Sequence, residues 1–307
     1  MILVTGGTGF IGRTLVRHLL SSGQEVRTLL RPSKSSPKLP RGIPVEAAVS
    51  SMLDERSLRA ALRGVDTVFH LAGNERHSSR ARLQEVDIQG TQVLVHAAAQ
   101  AGVQRILYIS HLGADQNSAY PVLKAKGLAE HAIIQSGVPY TIFRSSVVFG
   151  PGDQFTTGIA RLLRSWPGPF LLPGDGSGLV QPLWVEDLVA SMLIALETPA
   201  MVNQVISIGG GEAMTFRQVV EIIMDKIKVR RVLTPFSPPY LRMGSLMLEQ
   251  FTRSPISVFM LDYLAADRTT NLDTLPRLFG ILPARFHSQI NYLVYRKGQP
   301  ALNKGLI

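Results

Sequence analysis

Four apolar or β-branched residues, Ile2, Leu3, Val4 and Thr5, run without a polar break into a cluster of glycines. An apolar stripe of helical period follows over 10–20. A short apolar run bounded by turn residues predicts a buried strand, and the stripe behind it predicts an amphipathic helix. The alternation recurs: strands are predicted at 24–30, 45–49, 66–72, 105–110, 140–148 and 204–208. Helices fall between or after them at 57–63, behind an Asp54 cap, at 86–101 and at 186–197, with Thr215 capping one that runs to Ile227. Strands alternating with helices at this interval predict an α/β fold with a doubly wound parallel sheet. The alternation fails beyond Arg230, where Pro235, Pro238 and Pro239 break the chain ahead of Met- and Leu-rich helical stretches at 240–251 and 256–265. The expected organisation is a sheet domain over 1–153 and 180–210, with a small, mainly helical lobe from 154–179 and 211–307.

The glycines read Gly6-x-x-Gly9-x-x-Gly12 between the first strand and the first helix. That order places backbone N–H groups at a helix N-terminus, where a dinucleotide pyrophosphate binds, and makes the sheet domain a Rossmann fold. Candidate cofactor contacts are Thr5, Gly6, Gly7, Thr8, Gly9, Phe10, Ile11 and Gly12. The residue ending the second strand discriminates between dinucleotides, an acidic side chain suiting a ribose hydroxyl and an Arg a 2′-phosphate. Here it is Arg31, with Lys34 close behind and Arg13 beside the last glycine, so NADP(H) is favoured over NAD(H). The fourth strand ends at Leu71, Ala72 and Gly73, a second place where backbone can approach the cofactor. His70, inside that apolar run, reads as a satisfied core residue.

Composition narrows the setting. The chain has 307 residues, 45% of them hydrophobic, and no cysteine, which excludes disulfides and thiolate chemistry. No apolar run reaches the roughly 18 residues of a membrane span. With the first strand beginning at residue 2, no leader is expected, which suits a cytoplasmic protein or one peripheral on the inner face of a membrane. The formal charge is +10, and after residue 200 thirteen Lys and Arg outnumber seven Asp and Glu. Such an excess favours an anionic partner, a phosphorylated cofactor or an anionic lipid surface. The basic residues are scattered and lack interleaved aromatics, so no nucleic-acid partner is expected, nor is a metal site.

The string Thr5-Gly6-Gly7-Thr8-Gly9-Phe10-Ile11-Gly12 resembles the extended and atypical short-chain dehydrogenase/reductases. In that family a Tyr acts as acid/base, a Lys holds the nicotinamide ribose and lowers the phenol pKa, and a Ser orients the substrate oxygen. Tyr120 and Lys124 match the Tyr-x-x-x-Lys spacing, but Pro121 places Tyr120 ahead of the helix. The segment 126–144 resembles the family's Lys helix and the strand after it, which puts the signature Lys on Lys126 and Val122 four residues earlier. The catalytic candidates are therefore Tyr120, Lys126 and Ser110, with Lys124 as the alternative lysine; His111 beside Ser110 is a further acid or a strand-end hydrogen bonder. Ser51 stands where relatives carry an Asp near the adenine. Together with the tail at 270–281 these motifs also resemble bacterial relatives of the nucleotide-binding accessory subunit of respiratory complex I, a resemblance that covers most of the chain and is strongest over 1–20, 120–155 and 180–190 and weaker at 268–295. That resemblance implies tightly held NADPH and a C-terminal lobe that meets a membrane surface, a membrane complex or a lipophilic ligand. The expected function is an oxidoreductase acting on an apolar carbonyl or quinone. The alternatives are a non-catalytic, cofactor-bound structural or assembly protein and an NAD(P)-dependent epimerase/dehydratase.

Overall fold

A computed structural model of the chain describes residues 1–32, 45–73, 83–251 and 258–294, with the side chains of 248–251 left aside. Lys34 and the first two residues of the expected stretch 256–265 lie outside the described residues. Two compact units form, one from Met1–Arg144 with Val189–Ser207, the other from Ser145–Leu188 with Ile208–Ile307.

The first unit is built on seven strands: β1 (Ile2–Thr5), β2 (Val26–Leu30), β3 (Glu46–Val49), β4 (Thr67–His70), β5 (Arg105–His111), β6 (Tyr140–Ser145) and β7 (Gln204–Ile208). Their order across the sheet is β7-β6-β5-β4-β1-β2-β3. The pairs from β3 through β5 are all parallel, with Thr5 opposite both Leu29 and His70. Strands β1, β4 and β5 are buried along their whole length, which is why they read as continuous apolar runs and not as alternating ones. The winding reverses between β1 and β4, and open α/β sheets bind ligands at the carboxyl ends of strands beside such a reversal.

Helix α1 (Phe10–Ser21) buries Leu15, Val16 and Leu19, the positions that its apolar stripe marks out. Helix α2 (Glu55–Ala61) starts at Asp54, whose carboxylate accepts from the Ser57 N–H at 3.1 Å, as the expected cap requires. The single helix expected over 86–101 is instead two segments, a π-helical turn at Leu83–Gln89 and α3 (Gly90–Gln100). Apolar spacing over one turn does not separate the two geometries. Here the Thr91 hydroxyl donates to the Asp87 carbonyl at 2.7 Å, and Gly90 packs so closely that a Cβ would sit 2.9 Å from the Met52 side chain. Helix α4 (Pro121–Gln135) carries Lys126 and Glu130, and Arg144 on β6 clamps Glu130 with contacts of 2.6 to 3.1 Å.

The second unit has its own core around Phe149, Phe155, Phe170, Phe216 and Phe286. It holds α5 (Phe155–Ser165), the start of α6 (Val185–Glu197), α7 (Phe216–Ile227) and α8 (Pro238–Phe251). Helix α7 begins with a capping box between Thr215 and Gln218. The strand expected over 140–148 ends at Ser145, and Val148 and Phe149 pair in parallel with Leu183 and Trp184 in a separate ribbon. A strand at Leu233–Phe236, unexpected because of its Pro235, pairs in parallel with Phe170–Pro173. In a two-stranded ribbon both strands are edges, where a proline is tolerated.

Candidate functional site

The site grows from the turn between β1 and α1. Gly6 takes a left-handed φ of 73°, and a Cβ there would lie 2.8 Å from the Leu71 carbonyl and the Ala72 nitrogen. A Cβ on Gly7 would meet the Thr28 methyl at 2.7 Å, and one on Gly12 would run into the Gly6 carbonyl oxygen. The glycines thus let β1, β2, the segment after β4 and α1 converge around bare backbone. Gly9 caps α1 without a side-chain acceptor, and the first turn contains no acidic residue. The positive end of a twelve-residue helix is therefore open to an anion. Thr8 and Gly9 are exposed at its mouth, Phe10 and Ile11 are half-buried, and Leu71, Ala72 and Gly73 lie alongside. This cradle fits a dinucleotide pyrophosphate.

Arg31 is exposed just past β2, and Arg13 is half-buried in the first turn of α1. Ser51 serves its own turn, its hydroxyl accepting from the Leu53 N–H at 3.3 Å. It brings no carboxylate to the position after β3.

Behind the cradle lies a buried polar chain whose directions can be worked out atom by atom. The Thr91 hydroxyl donates to the Asp87 carbonyl, so it accepts from His70 Nε2 at 2.9 Å. His70 Nδ1 then accepts from the Thr5 hydroxyl at 2.7 Å, and Thr5 Oγ1 accepts the Ala72 N–H at 3.2 Å. Of the two neutral tautomers, only Nε2–H satisfies all four contacts. Burial, and then the nearby Lys126 ammonium, push the His70 pKa down to about 3. His70 is the core residue expected.

The Tyr108 ring stacks on His70 at 5.2 Å, and Lys126 Nζ sits 5.2 Å from the centre of that ring. The Lys126 ammonium also donates to the Ile109 carbonyl at 3.2 Å and lies 3.9 Å from Asp87 Oδ1. Lys126 is 3% exposed and Asp87 1%. Burial pushes the Tyr108 phenol pKa up, so that ring is a neutral wall.

The remaining candidates separate. Tyr120 is the N-cap of α4, with extended backbone and Pro121 behind it, so its side chain does not share the helix face that carries Lys126. The residue four positions before Lys126 is Val122, buried and apolar. Lys124 is exposed, whereas Lys126 is packed under β5. Ser110 and His111 are buried at the carboxyl end of β5. Asp87 and Thr91 escape the sequence reading, although one signal was available: Asp87 is an acidic residue inside a stretch that otherwise reads as an apolar helix. Among the described residues no group of His, Asp or Glu is placed to hold a metal ion.

Three comparisons bear on this geometry. The NADH dehydrogenase [ubiquinone] 1 alpha subcomplex subunit 9, mitochondrial, of Arabidopsis thaliana is 26% identical, over 97% of this chain and 78% of that protein. The 2-alkyl-3-oxoalkanoate reductase of Stenotrophomonas maltophilia is 25% identical over 92% of this chain and 94% of its own. The crystal structure of the Citrobacter sp. triphenylmethane reductase complexed with NADP(H) superposes with a TM-score of 0.77 at 22% identity, covering 96% of this chain and all of that one. It shares the fold. Residues 2–209, from β1 to just past β7, match the NAD dependent epimerase/dehydratase family, and the chain with its Gly-rich turn belongs to that extended short-chain dehydrogenase/reductase family.

Proposed function

We propose that the protein binds NADP(H) as a resident ligand and that this bound state, more than turnover, is what it contributes. The observation that carries the reading is the environment of Lys126: a buried ammonium paired with Asp87, with Val122 where a helical partner phenol would stand and Tyr120 outside the helix. The α1 N-terminus receives the pyrophosphate, Arg31 and Arg13 receive the 2′-phosphate, and Lys126 holds the nicotinamide ribose. When bound, a reduced nicotinamide would supply a hydride; the phenol that lies beside Lys126 is that of Tyr108, buried and held protonated by that burial, while Tyr120 stands outside the helix. The likeness to a mitochondrial NADH dehydrogenase subunit, over 97% of this chain and 78% of that protein, supports a role beside a membrane complex. So does α8, whose Tyr240, Met243 and Met247 are 57 to 64% exposed along one side.

Titration of the purified protein with NADPH and NADH, read by nicotinamide fluorescence, tests the cofactor assignment. NADPH is expected to bind the more tightly, and Arg31→Ala to cost about tenfold for NADPH, ~1.4 kcal/mol, with NADH unchanged. Equal affinities in the wild-type protein would overturn the preference. A second reading, reduction of an apolar carbonyl, is favoured by the likeness to the 2-alkyl-3-oxoalkanoate reductase. NADPH oxidation across a panel of ketones and quinones that disappears in Tyr120→Phe would establish that reading and displace the first.

A further inference from the structure

We propose that Arg268 is an oxyanion anchor of the second unit, its guanidinium held ready for the carboxylate or phosphate group of a small ligand. A guanidinium stays charged at every working pH, so withdrawing it from water calls for a counter-charge or for acceptors at its N–H groups. Arg268 is half-buried and has neither. Its Nε is enclosed without a hydrogen-bond acceptor, and among the described residues no carboxylate forms an ion pair with it. A buried donor of this kind is costly to leave unmade, which is why its presence points to a missing partner.

The backbone fixes where the side chain goes. The segment 267–270 is laid against Leu179–Gln181 by three hydrogen bonds. The Leu179 N–H donates to the Asp267 carboxylate at 2.8 Å, the Arg268 N–H to the Leu179 carbonyl at 3.1 Å, and the Thr270 N–H to Gln181 Oε1 at 2.7 Å. Val180 is thereby paired with Arg268 on one side and with Met214 on the other. Residues paired across neighbouring strands present their side chains on the same face. Val180 is buried in the aromatic core of this unit, so Arg268 is turned towards that core.

There its guanidinium carbon lies 5.9 Å from the centre of the Tyr263 ring. An aromatic face attracts and orients a planar cation. Burial pushes the Tyr263 phenol pKa up, so the ring offers its face and no anionic oxygen. The adjacent carboxylate, Asp267, is occupied by the Leu179 N–H. The result is an oriented, charged fork against an aromatic wall. A carboxylate or phosphate reaching the exposed end of the fork takes two parallel N–H donors and supplies the counter-charge.

Calorimetric titration of the NADPH-saturated protein with inorganic phosphate, decyl phosphate, decanoate and decanol tests this. Wild type should bind at least one of the anions, and Arg268→Met should weaken that anion by about tenfold or more while leaving decanol within about twofold. Arg268→Lys keeps the charge but loses the fork, and its anion affinity should fall between the two. Binding of inorganic phosphate would show that the oxyanion alone suffices. Binding restricted to decanoate or decyl phosphate would give the ligand an apolar body as well. An anion held elsewhere, at the α1 N-terminus for example, binds wild type and Arg268→Met alike. That result, or no anion bound below about 10 mM, would overturn the proposal.

Thermal midpoints of the ligand-free proteins separate an anchor from an arginine that only stabilises the unit. Met keeps an apolar, polarisable stem against Tyr263 and removes the unpaired N–H, so Arg268→Met should melt at or above wild type. A midpoint several degrees lower, or failure to fold, would show that the charge is already satisfied in the folded protein and would overturn the proposal.

Discussion

His70 is wholly buried, bonded at both ring nitrogens, and titrates near pH 3 against 6.5 for an ordinary imidazole. Between those values the unfolded chain takes up a proton that the folded chain refuses. Its stabilising contribution is therefore complete above pH 6.5 and is lost as pH falls towards 3, by up to about 1.4 kcal/mol per pH unit. Denaturant unfolding at pH 7 and pH 4.5 should show a smaller acid loss in His70→Asn than in wild type. An identical loss would mean that His70 is protonated in the folded protein. As a core residue His70 is legible from the apolar run around it, but its tautomer and its link to Asp87 depend on Thr91, which lies 21 residues away. Lys126 is legible only through the family's helix pattern. Composition and spacing alone favour Lys124, which the fold leaves exposed.

At the scale of elements, local signals succeed where one residue decides a backbone event. The Asp54 and Thr215 caps, the Gly-rich turn and the position of Tyr120 ahead of Pro121 all appear as expected. Thr215 accepts from the Gln218 N–H, while Gln218 accepts from the Thr215 N–H. Thr215→Ala should lower unfolding free energy by ~1 kcal/mol in chemical denaturation, because one amide of α7 loses its acceptor. Loss of a few tenths or less would show that water replaces the cap. Elements whose identity depends on a distant partner are the ones that escape. The strand at Leu233–Phe236 exists because Phe170–Pro173 lies beside it, and the π-helical turn exists in a setting where Gly90 packs against Met52.

Across the whole molecule, the two units keep separate apolar cores and the chain carries a formal charge of +10. Among the described residues no helix is long and apolar enough to cross a membrane. The apolar side of α8 follows the 3.6-residue period, while Arg242 on the same helix is occupied by Asp262 at 2.6 Å. Replacing Tyr240, Met243 and Met247 together by Ser should release the protein from vesicles containing anionic lipid, as measured by co-sedimentation. NADPH affinity should stay within about twofold, since the substitutions lie in a unit separate from the Gly-rich turn. Undiminished sedimentation would remove α8 from any account of membrane contact.

By itself the amino-acid sequence determines the α/β class, the parallel winding, the anion-binding turn and the displacement of Tyr120. Each of these rests on short-range stereochemistry: apolar period, glycine without a Cβ, proline without an N–H. Tertiary structure alone decides what surrounds Lys126. Asp87, Tyr108, His70 and Lys126 come from the π-helical turn, two strands and a helix, and they meet only because β4 pairs with β5 and α4 packs beneath them. The setting of a buried charge is fixed by that meeting, because in a low-dielectric interior interactions across space outweigh anything encoded in the lysine's own neighbourhood along the chain.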